Sequence, residues 1–237
     1  MSAPLDLKTD WHIRSDASDG AANLADVVRA AAALGLHEIH LADAVTATTT
    51  WAPEYAAEVR RIGTASGLKT VPTVTAALTS LRGGLDLPTK LDGIARVAIT
   101  ATHFPTWSES ISPTQMHRRI AAGEITAEDA VADLLLATAR AVVSQEEAVV
   151  SDVFSLLPRA GIDTALLTQH SLAMLATACR DTGAVIEVNE RAELPGPDTV
   201  ATLCGLAVEL VPASGARALT DIARWHHVSL AAQAIAP

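Results

Sequence analysis

Short apolar runs alternate along the chain with longer segments of helical periodicity, and this pattern predicts an α/β fold. Glycine, proline or small polar residues follow most of the runs, which is typical of strands that end in loops. The predicted strands are Trp11–Arg14, Glu38–Asp43, Thr70–Leu78, Ala95–His103, Val149–Phe154, Val185–Asn189 and Val208–Pro212. Because most of these strands are followed by a helix, the order favours a parallel α/β barrel over an open sheet.

The predicted helices occupy the segments between the strands. Asn23 is a plausible N-cap for the first of them, and glycines end several others. They run from Asn23 to Leu34, Glu54 to Ser66, Leu167 to Thr182, Pro197 to Leu206 and Leu219 to about Trp225, with two more that begin near Pro113 and at Thr126. No linker, internal repeat or low-complexity segment interrupts the pattern, so we expect residues 1–237 to form a single domain.

Composition and charge narrow the class of protein. The chain is 49% hydrophobic but only 3% aromatic, which predicts a core of alanine, valine, leucine and isoleucine. Its formal net charge of −10 argues against a nucleic-acid partner, because phosphates would be repelled. Cys179 and Cys204 lie in apolar helical segments and indicate reduced thiols. Without a signal-like start or an apolar run long enough to span a bilayer, we expect a cytoplasmic protein with no membrane partner.

The segment from Asp10 to Gly20 carries the clearest candidate chemistry. Alternation along its strand places His12 and Arg14 on the same face, and a small, acidic loop follows. It resembles the opening motif of PHP (polymerase and histidinol phosphatase) domains, D-x-H-x-H-S-x-x-S-D-G, with Arg14 in place of the second histidine. Two further segments, Leu157–Gly161 and Ala178–Asn189, are similar to the helix, glycine, strand and Glu-x-Asn pattern of these domains.

The resemblance implies a distorted seven-stranded (β/α) barrel of PHP type over the whole chain, and a phosphoesterase site with up to three metal ions. His12, Asp19 and His103 match expected ligand positions, and Asp152 replaces a histidine. Other expected ligands are lost, to Arg14, Ala44, Thr75, Gly215 and Arg217. The resemblance therefore implies a degenerate metal site and no metal cofactor, because each ion needs about three protein ligands. Weak binding of zinc or manganese by His103 and Asp152 is the alternative.

Arg14 and Arg217 would bring permanent positive charges to the former metal site. Guanidinium groups pair with phosphate or carboxylate through forked hydrogen bonds, so a small anionic molecule is the expected ligand. Alternatively, carboxylates of the chain neutralise both arginines in a closed network of ion pairs. Asp19, Asp43 and Asp152 are the candidates for that network.

Other residues at the predicted strand ends complete the candidate site. His12 and His103 are candidate acid/base groups, with Asp43 or Asp152 as the neighbouring carboxylate. Thr75 would line the pocket, and Trp51 and Trp107 would lie on its rim, where they contact a ligand, a second copy or another protein.

Three functions remain open at this stage. The pocket serves a binding or regulatory role without catalysis, it performs metal-independent acid/base catalysis, or a reduced metal site still hydrolyses phosphoesters. We favour a metal-poor pocket for a small anion, with the choice between the first two functions open.

Overall fold

The computed structural model describes residues 5–107 and 110–235. Its strands are β1 (Thr9–Ile13), β2 (Glu38–Ala44), β3 (Lys69–Ala77), β4 (Arg96–Thr100), β5 (Phe104–Pro105), β6 (Ser110–Ile111), β7 (Val149–Val150), β8 (Val185–Asn189) and β9 (Leu210–Ala213). Seven of them form one parallel sheet in the order β1-β2-β3-β4-β7-β8-β9, while β5 and β6 form a small antiparallel hairpin. The sheet curls into a nearly closed barrel, which confirms the predicted fold class.

Helices surround the barrel and cover its outer face. They are α1 (Leu24–Ala33), α2 (Ala52–Ser66), α3 (Pro113–Ala121), α4 (Ala127–Ser144), α5 (Leu156–Arg159), α6 (Gln169–Thr182), α7 (Pro197–Gly205) and α8 (His227–Ala234). Short 3-10 turns lie at Val153–Ser155, Thr164–Leu166 and Leu219–Asp221. Within the described part of the chain, no helix is both long enough and apolar enough to cross a bilayer.

Local sequence signals account for the helices that were predicted well. The side chain of Asn23 accepts a hydrogen bond from the Asp26 amide at 2.9 Å and caps α1. Gly67 and Gly183 end α2 and α6 in the left-handed conformation, where a side chain would be strained. Thr126, where the sequence predicts the start of a helix, caps α4 by accepting a hydrogen bond from the amide of Asp129.

Three predicted elements were wrong in extent. The fourth strand ends at Thr100 instead of His103, and the strand expected to reach Phe154 stops at Val150. The latter strand, β7, is short because Asp152 adopts a φ of 49°, which turns the chain out of the sheet. Residues 219–225 were predicted as the closing helix, but they form a 3-10 turn and an irregular segment.

The true closing helix, α8, begins at His227 because its N-terminus is capped from a distant strand end. The carboxylate of Glu190 accepts hydrogen bonds from the backbone amides of His226, His227 and Val228 at 3.0–3.1 Å. These amides would otherwise lack partners in the first turn. Because the capping carboxylate is 36 residues away in sequence from the nearest of them, no local pattern reveals this start.

The barrel closes at a seam between β1 and the segment after β9, where a single parallel bridge joins Ile13 to Ala216. The side chain of Asp10 stabilises the buried part of this seam. Its buried carboxylate accepts hydrogen bonds from the amides of Ser214 at 2.9 Å, His12 at 3.3 Å and Ala223 at 3.4 Å. Burial raises the pKa of Asp10 to about 6, although these hydrogen bonds partly oppose the shift.

Candidate functional site

A pocket of about 220 Å³ opens at the carboxyl ends of the strands, next to the seam. Its lining is rich in charged and polar side chains: His12, Arg14, Asp152, Ser155, Arg159, Asn189, Arg191, Ala192, Gly215 and Arg217. These residues lie at or after the ends of β7, β8, β9 and β1, which are neighbours around the barrel. The pocket therefore occupies one side of the barrel mouth, where parallel α/β barrels place their functional groups.

Two of the four lining arginines share one carboxylate. The Nη1 atom of Arg14 lies 2.6 Å from one oxygen of Asp19, and Nη2 of Arg217 lies 3.0 Å from the other. Partial burial alone would raise the pKa of Asp19, but the Arg14 hydrogen bond and both positive charges outweigh it and lower the pKa. One carboxylate cannot neutralise two guanidinium groups, so this cluster keeps a net positive charge.

The other two lining arginines, Arg159 and Arg191, lack an anionic partner in the structure. Both are exposed to the pocket solvent, and within residues 5–107 and 110–235 neither forms an ion pair or a side-chain hydrogen bond. Arg159 is the last residue of α5, and Arg191 follows the end of β8 by two residues. The sequence analysis did not select either residue as a candidate.

Gly215 allows the chain after β9 to approach the end of β8 closely. Its φ is 61°, and a β-carbon there would lie 2.9 Å from the side-chain oxygen of Asn189 and 3.0 Å from the β-carbon of Arg191. A larger residue would push these lining groups apart. The resemblance had presented Gly215 only as a lost ligand position, whereas in the structure it brings the arginine-bearing loops together.

His12 lies at the inner edge of the pocket and contacts a buried acid. Its Nδ1 atom is 3.1 Å from the Glu187 carboxylate and 2.9 Å from Oγ of Ser151, which donates to Glu187 at 2.6 Å. On the other side of the ring, Nε of Arg14 donates to Nε2 of His12 at 3.3 Å. Because Nε2 then accepts, the proton belongs on Nδ1 and points towards Glu187. This arrangement leaves the basic Nε2 atom at the pocket.

Glu187 is a third site residue, after Arg159 and Arg191, that was not predicted from the sequence. It lies in the middle of an apolar strand and is only 2% exposed. Its segment matches a motif that indicates the fold, but a charged residue inside such a strand also needs a partner, because burying an unpaired charge is costly. This signal was present in the sequence. The partner of His12 is thus Glu187, and neither Asp43 nor Asp152 takes that position.

Asp43 has a structural role in the loop that follows β1. Its carboxylate accepts hydrogen bonds from the amide of Ser15 at 2.9 Å, from Oγ of Ser15 at 2.8 Å and from Oγ of Ser18 at 2.6 Å. Burial raises the pKa of Asp43, and these hydrogen bonds partly oppose the shift. Asp43 does not line the pocket and pairs with neither Arg14 nor Arg217.

Asp152 is the one candidate carboxylate that lines the pocket itself. It is exposed to the pocket solvent, yet the surrounding protein reduces its hydration and raises its pKa. The nearby His12 and Arg14 favour the ionised form and partly oppose this shift, while the charge of Glu187 adds to it. Asp152 and His12 are therefore two titratable groups in different environments at one pocket, an arrangement suited to proton transfer.

The remaining candidates lie outside the lining of this pocket. Thr75 is buried, and its hydroxyl has no hydrogen-bond partner among the described residues. His103 is exposed beside the β5–β6 hairpin and contacts the Thr102 hydroxyl at 3.1 Å, because β4 ends before it. Trp107 is 68% exposed, and Trp51 packs edge-on against Tyr55 with ring centroids 5.3 Å apart.

The donor set at the pocket does not fit a cluster of metal ions. Among residues 5–107 and 110–235, no group of three histidine, cysteine, aspartate or glutamate side chains is arranged to hold an ion. His12 and Asp152 are the lining side chains of those types, and the guanidinium of Arg14 occupies the side of His12 that faces the pocket. A catalytic ion usually needs three protein ligands and an open position for water.

No protein-family model matches the chain, and no curated protein matches its sequence. Among solved structures, the chain resembles a Listeria monocytogenes protein provisionally assigned as a histidinol phosphatase, hisK. The TM-score is 0.64 at 13% identity, over 91% of this chain and 97% of that one. D-psicose 3-epimerase of Clostridium cellulolyticum H10, solved with D-tagatose, gives a TM-score of 0.40 at 9% identity, over 95% and 96%, too low to carry an argument. The first comparison supports the PHP-like fold that the motifs at Asp10–Gly20 indicated.

Proposed function

We propose that the pocket binds a small anion, a phosphate or carboxylate, through guanidinium groups and without a metal ion. The observation that carries the proposal is the set of four arginines at one pocket, where Asp152 is the one carboxylate in the lining and Asp19 pairs with two of the arginines. Arginine presents a planar fork of donors that matches both kinds of anion. The net charge of −10 does not oppose binding strongly, because distant surface charges are screened beyond about 8 Å at physiological ionic strength.

The competing hypothesis is a closed network in which the protein's own carboxylates neutralise every arginine. Asp43 is engaged by the Ser15–Ser18 loop, so it is not available for that purpose. Asp19 serves Arg14 and Arg217 together, and Arg159 and Arg191 have no ion-pair partner among the residues that the structure describes. This distribution of charge favours an external anion over a closed network.

Thermal denaturation with and without inorganic phosphate tests the proposal. A ligand that binds only the folded state stabilises it by about 2.7 kcal/mol at a hundredfold excess over Kd. We expect phosphate to raise the Tm of the wild-type protein and Arg217→Ala to reduce that rise. Arg61→Ala is a matched control, because Arg61 is exposed on α2 and pairs with Glu58 far from the pocket lining. The proposal fails if neither phosphate nor small carboxylates raise the Tm.

A second candidate function is metal-independent acid/base catalysis on the bound anion, with His12 as the base. The observation that favours it is the buried contact between Nδ1 of His12 and Glu187, which would hold the ring with the lone pair on Nε2, able to take a proton once the Arg14 hydrogen bond to that atom is released. Asp152 would supply or accept the second proton. Phosphoester hydrolysis with a reduced metal site is less well supported, because the donor set does not fit it.

The tautomer of His12 can be measured directly by ¹⁵N NMR of the imidazole ring. We expect the neutral ring to carry its proton on Nδ1 in the wild-type protein, and a mixture of tautomers in Glu187→Gln. A wild-type ring with its proton mainly on Nε2 would contradict the proposed role of His12 as a base. It would leave the proposal of anion binding intact.

A further inference from the structure

We infer that Glu187 is a positioning residue for anion binding, which acts on Arg14 through His12. Glu187 is not among the lining residues of the pocket and is only 2% exposed, so it does not reach a ligand there. Its contact with His12 decides which ring nitrogen accepts a hydrogen bond, and that nitrogen holds the side chain of Arg14 in place. The inference rests on the proposed anion binding and adds what controls it.

The first contact joins Glu187 to Nδ1 of His12. Both side chains are buried, and the two carboxylate oxygens lie 3.2 and 3.1 Å from Nδ1. Oγ of Ser151 is 2.9 Å from the same nitrogen, but its single proton is donated to Glu187 at 2.6 Å. Nδ1 therefore faces three acceptor oxygens, and a buried nitrogen in that position carries the proton.

The second contact joins Nε2 of His12 to Arg14. With the ring proton on Nδ1, Nε2 has a lone pair and accepts a hydrogen bond from Nε of Arg14 at 3.3 Å. If the proton were on Nε2, two donors would face each other and the guanidinium group would have to move away. The side chain of Arg14 is 16% exposed, so the tautomer of His12 decides the position of a largely buried cation.

These contacts leave one nitrogen of Arg14 available for an anion. Nε is engaged by His12, and Nη1 donates to Asp19 at 2.6 Å. Among the residues that the structure describes, Nη2 has neither an ion pair nor a hydrogen bond. A donor that is already fixed loses less conformational entropy when a ligand binds, so fixing Nε and Nη1 strengthens binding at Nη2.

The charge of Glu187, acting alone, would have the opposite effect on the pocket. A carboxylate next to an anion site repels the ligand, so removal of its charge by itself would strengthen binding. The positioning role predicts weaker binding, because loss of the contact with His12 frees Arg14. The sign of the change in affinity therefore distinguishes the two effects.

Calorimetry of inorganic phosphate with Glu187→Gln and Glu187→Asp tests the inference, at a pH where the ¹⁵N spectrum shows His12 as the neutral ring. The amide of the first variant can either accept from Nδ1 or donate to it, so both tautomers become populated. If about a third to a tenth of the molecules keep the competent tautomer, the apparent affinity falls about 3–10-fold. We expect this loss for Glu187→Gln. Glu187→Asp keeps the charge but withdraws it from His12, and its affinity should fall as well.

Two NMR signals separate this role from a general loss of stability. In Glu187→Gln the ring nitrogens of His12 should report both tautomers, and the Nε proton of Arg14 should exchange with water faster than in the wild type. Thr138→Val is the control, because it removes a buried hydrogen bond to the Leu134 carbonyl in α4, outside the pocket lining. It should lower the Tm but leave the phosphate affinity and both signals unchanged.

Equal or tighter phosphate binding by Glu187→Gln would overturn the inference and leave the proposed anion binding intact. Weaker binding with unchanged His12 and Arg14 signals would also overturn it, because Glu187 would then act by another route. The Tm of each unliganded variant checks that it folds, and Glu187→Asp decides by the same criteria if Glu187→Gln does not fold. If only acetate binds the wild-type protein, it replaces phosphate in these comparisons. If neither ion binds, the proposed function fails together with the inference.

Discussion

Replacement of Asp10 by asparagine is predicted to make the stability of the barrel less dependent on pH. Asp10 is fully buried at the seam, and its oxygens accept from the backbone amides of His12, Ser214 and Ala223. Burial disfavours the ionised form and raises the pKa of Asp10 from 3.8 to about 6, despite the opposing hydrogen bonds. Asparagine keeps one oxygen acceptor but cannot titrate, so the variant isolates the contribution of the charge.

The direction of the effect follows from the raised pKa. Well below pH 3.8 the carboxyl is protonated in both the folded and the unfolded chain, and its contribution to stability is fully present. As the pH rises through 6, the unfolded chain has already lost its proton, and the folded protein must bury a charge. The difference between 3.8 and about 6 corresponds to about 3 kcal/mol at ~1.4 kcal/mol per pKa unit. Part of this loss already occurs below pH 4, so the free energy of unfolding should lose about 2.5 kcal/mol from this group between pH 4 and pH 7.

Urea unfolding at several pH values, followed by tryptophan fluorescence, measures the effect. The quantity of interest is the difference in unfolding free energy between Asp10→Asn and the wild type, because other titrating groups cancel in it. This difference should shift in favour of the variant by about 2.5 kcal/mol from pH 4 to pH 7, whatever its absolute value at pH 4. A buffer without phosphate or carboxylate keeps ligand binding from contributing to the result.

Asp19→Asn provides a control with the opposite sign. The pKa of Asp19 is lowered, so its stabilising contribution is present above about pH 4 and is lost as the pH falls below that value. The free energy of unfolding of Asp19→Asn should therefore fall below that of the wild type at neutral pH, and the difference should shrink in acid. A flat difference profile for Asp10→Asn between pH 4 and pH 7 would refute the assigned pKa. A profile that favours the wild type as the pH rises would show that the amide hydrogen bonds outweigh burial.

Two further predictions concern the loop after β1 and the metal content. Gly20→Ala should destabilise the fold by about 1–3 kcal/mol and weaken phosphate binding, because the new β-carbon would lie 2.5 Å from the Arg14 carbonyl oxygen. Gly205→Ala, which meets no atom within 4 Å, is the control, and equal urea midpoints for the two variants would contradict the steric argument. Protein purified without chelator should contain far less than one equivalent of zinc, manganese or iron by elemental analysis, and Arg14→His should not change this, because Thr75 offers no carboxylate. Near-stoichiometric metal would overturn the assignment of a metal-poor pocket.

The sequence predicted the fold well because the strands of a parallel barrel are short apolar runs separated by helices with local end signals. The prediction of β8 was correct to the residue, and Asn23, Thr126 and Gly183 mark helix ends through local contacts. Boundaries failed where the deciding interaction was not local. The start of α8 depends on Glu190, and the short β7 depends on an unusual backbone angle at Asp152.

The candidate site was predictable only where a residue type and a strand position coincided. Alternation along β1 placed His12 beside Arg14, and their side chains are in contact at 3.3 Å. Arg159 and Arg191 lie beyond the strands, in a short helix and a loop, where periodicity gives no information about direction. In a chain with many surface arginines, only the three-dimensional arrangement distinguishes these two from solvated side chains.

The seam links the stability of the barrel to the charge of the pocket. Among the described residues, one isolated bridge joins β1 to the segment after β9, and side chains add further connections across the seam. Asp10 links the two sides of the seam where the seam is buried. At the pocket, Asp19 joins Arg14, on the β1 side, to Arg217, on the β9 side. An anion bound between the same two arginines would add a second connection across the seam. Ligand binding should therefore protect the amides of Arg14 and Ala21, which donate across the seam to Ala216 and Arg217, from hydrogen exchange more than amides on the opposite side of the barrel.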